Sequence, residues 1–257
     1  MFYDIFNPAK SQEIRLIKIL ILIPTYNEEE SIGNLLSRLQ DVREKSANTY
    51  DIDILIIDDG SPDKTIEIIK ASQIAKLSIL QRNEKNGLGP AYLAGFTEGL
   101  KGNYDYFVEM DADLSHQPEE LLLLLEKASQ NNFVIGTRWM PGGSVVNWPK
   151  KRQLISKMGT RYASLALKMP YRDLTSGYRV IPRAFLERIS FSEIETRGYG
   201  FQVEMAIKAR DLAFKIEEVP ITFVERENGQ SKMSLAIVWE AWKMVSIWGL
   251  QRLIKRR

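Results

Sequence analysis

The chain has 257 residues, 44% of them hydrophobic and 26% charged, so it can bury a substantial core and wholesale disorder is excluded. Thirty-five basic against 33 acidic residues leave a formal net charge of +2, which excludes nucleic-acid binding driven by bulk charge. There is no cysteine and one histidine, His116, so disulfides, thiolate metal sites, cysteine nucleophiles and multi-histidine sites are excluded, and any metal is held mainly by oxygen ligands.

Residues 1–18 read as an N-terminal extension whose Phe2, Tyr3, Ile5 and Phe6 make either a membrane contact or a disordered lead-in. The apolar run at 19–23 is too short for a secretory signal and predicts a buried strand, ended by Pro24. Residues 28–39 follow with Ile32, Leu35, Leu36 and Leu39 at helical spacing. The run 52–57 is the next strand. It leads through Asp58-Asp59-Gly60-Ser61-Pro62 into a helix from about Asp63. Residues 77–80 are a third strand, and Gly87-Leu88-Gly89 opens a helix carrying Ala91, Leu93, Ala94 and Phe96. A fourth strand, 106–110, ends at Asp111-Ala112-Asp113; Pro118 starts a helix, where its missing N–H costs nothing, and 133–135 is a fifth strand. This alternation predicts an α/β protein with a mostly parallel sheet and helices on both faces. Beyond it come a basic helix at 150–168, a polar turn at 173–179, a helix at 200–213, one strand at 216–224, a polar loop at 225–232 and a terminal helix.

In a parallel sheet, ligands bind beyond the carboxyl ends of the strands. Polar clusters stand there: Pro24-Thr25-Tyr26-Asn27-Glu28, Asp58-Asp59 and Asp111-Ala112-Asp113. Asp and Asn also cap helices and shape turns, but three clusters at equivalent positions favour a site. Two carboxylates two residues apart after a strand suit Mg2+ or Mn2+, which are commonly held by one or two carboxylates plus substrate phosphates. A Rossmann glycine pattern is missing after the first strand, Tyr92 stands where the third glycine would follow Gly87 and Gly89, and no Walker A loop is present.

These motifs resemble a family 2 glycosyltransferase with the GT-A nucleotide-sugar-binding fold, and more narrowly the dolichol-phosphate (polyprenol-phosphate) mannosyltransferases. The resemblance runs from about Ile19 to Lys232. It rests on Ile23-Pro24-Thr25-Tyr26-Asn27-Glu28, on Ile57-Asp58-Asp59-Gly60-Ser61-Pro62-Asp63, on Gly87-Leu88-Gly89 and on Asp111-Ala112-Asp113-Leu114-Ser115-His116. Gly136-Thr137-Arg138, Asp173-Leu174-Thr175-Ser176-Gly177 and the stretch 226–232 complete it. The resemblance implies a catalytic domain at 19–232. It implies that Pro24, Tyr26, Glu28, Ile57, Asp59 and the backbone of Ala112 bind the donor, with Asp58 structural. Asp111 and Asp113 would ligate Mg2+ or Mn2+; Ser115 stands where some relatives place a third ligand, a glutamine. Arg226 and Lys232 would clamp the donor diphosphate, and Arg138, Arg152 and Ser156 would receive the acceptor phosphate, Arg138 also lying at the donor. Asp111, Asp113 and Arg138 form the implied catalytic set. His116 has no catalytic role, and Glu204 is structural.

The expected reaction is inverting transfer of mannose from GDP-mannose to a polyprenyl phosphate. A phosphate monoester has a second pKa of about 6, so this nucleophile is ionised at neutral pH without a general base. Transfer of another hexose from a UDP-sugar, and a non-catalytic nucleotide-sugar-binding subunit, are the competing readings. Residues 233–257 read as a Trp-rich amphipathic helix with a basic end, either interfacial or packed as core. The expected setting is peripheral, at the cytoplasmic side of a membrane, with a membrane subunit left open as a partner. No stretch reaches the about 20 apolar residues of a spanning helix.

Overall fold

The computed structural model describes residues 15–83, 85–225 and 235–254. In chain order these form β1 (Ile17–Thr25), α1 (Ile32–Ser46), β2 (Tyr50–Asp58), α2 (Thr65–Ala71), β3 (Leu77–Gln81), α3 (Leu88–Gly99) and β4 (Tyr106–Glu109). Then come α4 (Leu121–Leu125), β5 (Asn132–Thr137), β6 (Ser144–Val146), α5 (Lys150–Leu167), β7 (Arg179–Pro182) and α6 (Arg183–Leu186). The last are α7 (Tyr199–Asp211), β8 (Lys215–Pro220), β9 (Thr222–Val224) and α8 (Leu235–Ile254).

Among the described residues, seven strands form one sheet in the order β3-β2-β1-β4-β7-β5-β8, and β6 pairs with β9 beside it. β1 is apolar from Ile19 to Pro24 because both of its faces are covered there. Ile19, Ile21 and Ile23 point into a core closed by Leu35, Leu36 and Leu39 of α1, Ile69 of α2 and Leu121 of α4. Leu20 and Leu22 point the other way, onto Phe96 of α3, Phe201 and Met205 of α7 and Ala163 of α5. α3 lies close against the sheet because Gly95 and Gly99 present no side chain: a Cβ at Gly95 would overlap Ile57, and one at Gly99 would overlap Leu20. The expected α/β architecture with helices on both faces is present.

Three details differ from expectation. The first helix starts at Ile32, because the backbone N–H of Glu28 is held by Thr65 Oγ1 and residues 28–31 make a turn. The expected polar turn at 173–179 ends inside a strand: β7 runs antiparallel to both β4 and β5, and its first residue, Arg179, is fully buried. The expected single strand at 216–224 is two, divided after Pro220, since β8 pairs with β5 and β9 with β6. Most of the N-terminal extension lies outside the described residues; Ile17 and Lys18 of it already belong to β1.

The terminal helix α8 packs on α5 and α7. Val245 is buried there, Gly249 sits against Ala166, and Trp242 stacks on Tyr162 at 4.6 Å. Trp242, Ile247 and Leu250 of α8 remain exposed, as do Leu154, Ile155, Met158 and Leu165 of α5. No helix among the described residues is long and apolar enough to cross a membrane.

Candidate active site

The carboxyl end of β4 leads straight into Asp111-Ala112-Asp113. Leu114 then takes φ 62°, a left-handed conformation that costs a leucine about 1 kcal/mol or more. Two hydrogen bonds hold that reversal: Ser115 N–H donates to Asp113 Oδ1 at 3.1 Å, and Gln117 Nε2 donates to the Leu114 carbonyl at 3.0 Å. Asp111 and Asp113 are thereby left part-exposed, while Ala112, Ser115 and His116 are buried. Ser115 is turned into the protein, so the two carboxylates are the donors this turn presents outward.

His116 supports the turn from below. Its Nδ1 accepts the Asp111 backbone N–H at 3.1 Å, which puts the ring proton on Nε2. Burial drives its pKa down to about 4, with Asp113 pulling upward and Arg138 pushing further down, so the ring is neutral at pH 7. It stacks on Tyr178 at 4.9 Å and meets Phe223 edge-on at 5.5 Å. That arrangement is a prop for the backbone of Asp111.

Beneath the turn lies an ion pair invisible in the sequence. Glu109, the last residue of β4, faces Arg179, the first of β7, at 4.0 Å, with both side chains fully buried. Arg179 donates to the carbonyls of Leu174, Ser176 and Gln202 at 2.8–2.9 Å, tying the 173–177 loop and α7 to the sheet. Burial pushes Glu109 up to about 7, against the pull of Arg179. The loop lands beside the acidic turn: a Cβ at Gly177 would lie 3.6 Å from His116 Cε1 and 3.8 Å from Asp111 Oδ1.

A second wall carries the basic residues. Arg138 directly follows β5 and grips Asp173 with two prongs, Nε at 2.6 Å and Nη2 at 2.7 Å, while its backbone N–H reaches the same carboxylate at 3.2 Å. Asp173 is fully buried and Arg138 nearly so. The guanidinium sits 5.3–5.8 Å from the rings of Trp139, Trp148 and Phe223. Arg152, in the first turn of α5, lies 4.1 Å over the opposite part of the same aromatic group, Trp148, and pairs with Glu225. Ser156 follows one helical turn later on the same face of α5. Sequence reading missed Trp139, Trp148, Phe223, Glu225, Glu109 and Arg179, which come from separate segments with no shared spacing.

On the donor side, Asp58 is consumed by its own turn, accepting from Thr25 Oγ1, from Ser61 Oγ and from the N–H groups of Gly60 and Ser61. Asp59 accepts from Arg82 at 2.9 Å; burial raises its pKa and Arg82 opposes the rise. Tyr26 lies next to these residues at the end of β1, with Lys85 Nζ 3.7 Å from its ring centre. Pro24 and Glu28 are part-exposed on the same rim. The side chain of Ile57 is wholly buried against α3, which leaves its backbone as the part that could meet a ligand. Ala112 is likewise buried and can act only through its backbone, as expected. Arg226 and Lys232 lie outside the described residues.

Among the described residues no three acidic or histidine side chains gather as a metal cage. A pair of hard carboxylate oxygens beyond the carboxyl end of β4 fits an ion whose remaining positions are filled by phosphate oxygens and water. Asp111 and Asp113 are the residues that would hold it.

Residues 20–190 match Glycosyl transferase family 2. The chain is 47% identical over 236 residues to an undecaprenyl-phosphate mannosyltransferase of Micrococcus luteus, covering 91% of this chain and 95% of that protein. It is 40% identical over 243 residues to a polyprenol monophosphomannose synthase of Mycolicibacterium smegmatis, covering 93% and 89%. Among solved structures, glucosyl-3-phosphoglycerate synthase of Mycobacterium tuberculosis, in complex with Mn2+, UDP-glucose and phosphoglyceric acid, superimposes with a TM-score of 0.67. That pair shares 17% identity and covers 91% of this chain and 80% of the other, a likeness of fold alone. A family match across most of the chain, with two relatives at this identity over nearly their whole length, makes the protein a glycosyltransferase of family 2.

Proposed function

We propose that this enzyme transfers mannose from GDP-mannose to a polyprenyl phosphate, with inversion at the sugar carbon. The observation that carries the reading is the likeness, over nearly the full length, to two proteins named for polyprenol-phosphate mannosyl transfer. The arrangement of the site supports it. Tyr26, Asp59 and Glu28 line the side where a nucleotide would lie; Asp111 and Asp113 face the diphosphate; Arg138, Arg152 and Ser156 form the acceptor-phosphate side. Arg226 and Lys232 are assigned to the diphosphate from the motif alone. A divalent cation, Mg2+ or Mn2+, bound at the paired aspartates would neutralise charge developing on the diphosphate.

The acceptor supplies its own nucleophile. A phosphate oxygen attacks the anomeric carbon as the bond from that carbon to the donor diphosphate breaks, giving a sugar-phosphate-prenyl diester and a nucleoside diphosphate. With a second pKa of about 6, the acceptor phosphate needs orientation rather than deprotonation. A neutral His116 already engaged with the Asp111 backbone agrees with a site that has no general base. The exposed apolar side chains of α5 and α8, with Lys150, Lys151, Lys157 and Arg161 exposed on α5, suit a peripheral approach to the membrane that holds the lipid.

Incubating the protein with labelled GDP-mannose, Mg2+ and a polyprenyl phosphate is expected to yield chloroform-soluble β-mannosyl phospholipid. Transfer from a UDP-hexose but not from GDP-mannose overturns the donor assignment. A product that keeps the donor's α configuration overturns the single displacement. Tight donor binding without turnover would instead make the chain a binding subunit.

A further inference from the structure

We propose that Glu225 is a built-in competitor for the acceptor phosphate: in the empty site its carboxylate occupies the guanidinium of Arg152, and the phosphate must displace it. The inference rests on the assignment of Arg152 and Ser156 to the acceptor phosphate.

Arg152 Nη1 donates to Glu225 Oε1, and among the described residues no other hydrogen bond fixes that guanidinium in place; its Nε–H is buried without an acceptor there. One face of the guanidinium is covered by Trp148 at 4.1 Å. Among the described residues Arg152 therefore has one anionic partner, and both charged groups keep a quarter or so of their surface open, 25% and 28%. Arg138 differs: its fork is filled by Asp173, which is fully buried and bonded also by the Arg138 backbone. Among the described residues Glu225 is held, apart from Arg152, by its backbone, whose N–H donates to the Val146 carbonyl at 3.0 Å, so its side chain can swing away without breaking the β6–β9 pair.

A carboxylate in this place attenuates affinity. Each anionic ligand of Arg152 meets the same competing equilibrium, so acceptor and product are weakened by one common factor. Product release is eased by the same factor by which acceptor binding is weakened. A partly exposed ion pair of this kind corresponds to about a three- to fivefold effect.

The test uses the full chain and calorimetry without donor, so nothing turns over. Farnesyl phosphate serves as the acceptor probe and its methyl diester as the product mimic. Glu225→Gln is expected to tighten both by about three- to fivefold and by equal factors. Glu225→Asp, one methylene shorter, is expected to fall between wild type and Glu225→Gln. Tightening of the dianion alone would make Glu225 a fixed repulsive charge, and weakening of both would make it a positioning residue for Arg152; either overturns the proposal. Arg152→Gln separates the underlying assignment. If it leaves farnesyl phosphate binding unchanged, the acceptor seat itself is misplaced. If it weakens binding while Glu225→Gln changes nothing, the seat stands and the competitor falls.

Discussion

The Arg138–Asp173 pair gives the sharpest energetic prediction. Asp173 is fully buried, and Arg138 meets it through Nε, Nη2 and its own backbone N–H. Asp173→Asn keeps the shape but removes the charge, leaving a nearly buried guanidinium without its counter-ion; Arg138→Gln leaves a buried carboxylate. Breaking a buried pair from one side costs about 3–5 kcal/mol. Against a total stability of about 5–15 kcal/mol this is a large fraction, and it corresponds to a drop in Tm of about 10 °C for a chain of this size. The double variant removes both charges together, so its loss is expected to fall short of the sum of the singles by about 2–3 kcal/mol. Urea unfolding of the four proteins at pH 7 closes the cycle. A coupling under about 0.5 kcal/mol would mean that water already screens the pair, and the account of the second wall would be wrong.

Glu109 gives a pH signature. Its folded pKa, about 7, lies above the ordinary value of 4.5, so the folded state holds its proton more tightly than the unfolded chain does. The associated stability is present below pH 4.5 and lost as pH rises through 7, a change of about 3 kcal/mol. Relative to wild type in EDTA, Glu109→Gln is expected to gain that amount between pH 4.5 and 8; parallel stability profiles would show that Glu109 titrates normally. Asp113→Asn is expected to weaken Mn2+ binding in the presence of GDP by about tenfold or more, as followed by Mn2+ paramagnetic resonance; undiminished binding removes this carboxylate from the ion. Gly95→Ala forces a methyl group onto Ile57 and is expected to cost about 1–3 kcal/mol, with Ile57→Val recovering part of it. Unchanged stability in the single variant would show that α3 lifts without penalty.

Much of the fold is legible because the strands buried on both faces read as unbroken apolar runs, as in residues 19–23 and 54–57, and because the helices between them keep their spacing. β7 is hidden for a physical reason: it is four residues long and starts with an arginine, a residue type rarely found without solvent. Its burial makes sense only beside Glu109 and three carbonyl groups that the linear sequence does not bring near. The acidic half of the candidate site is readable because Asp111 and Asp113 are local to one turn. The basic half is not, since Arg138, Asp173, Trp148, Arg152 and Glu225 meet only through tertiary packing. Ile57, a position within a donor-side motif, gives its side chain to the core.

The reversed direction of β7 has a consequence for how the enzyme is made. β7 alone joins the β3-β2-β1-β4 half of the sheet to the β5-β8 half. During synthesis the first half can zip together as it leaves the ribosome, but no strand pairing joins it to β5 until β7 has emerged. The acidic turn belongs to one half and Arg138 to the other, so no nascent intermediate owns a whole site. Nucleotide capture by a growing chain would therefore report closure of the entire sheet.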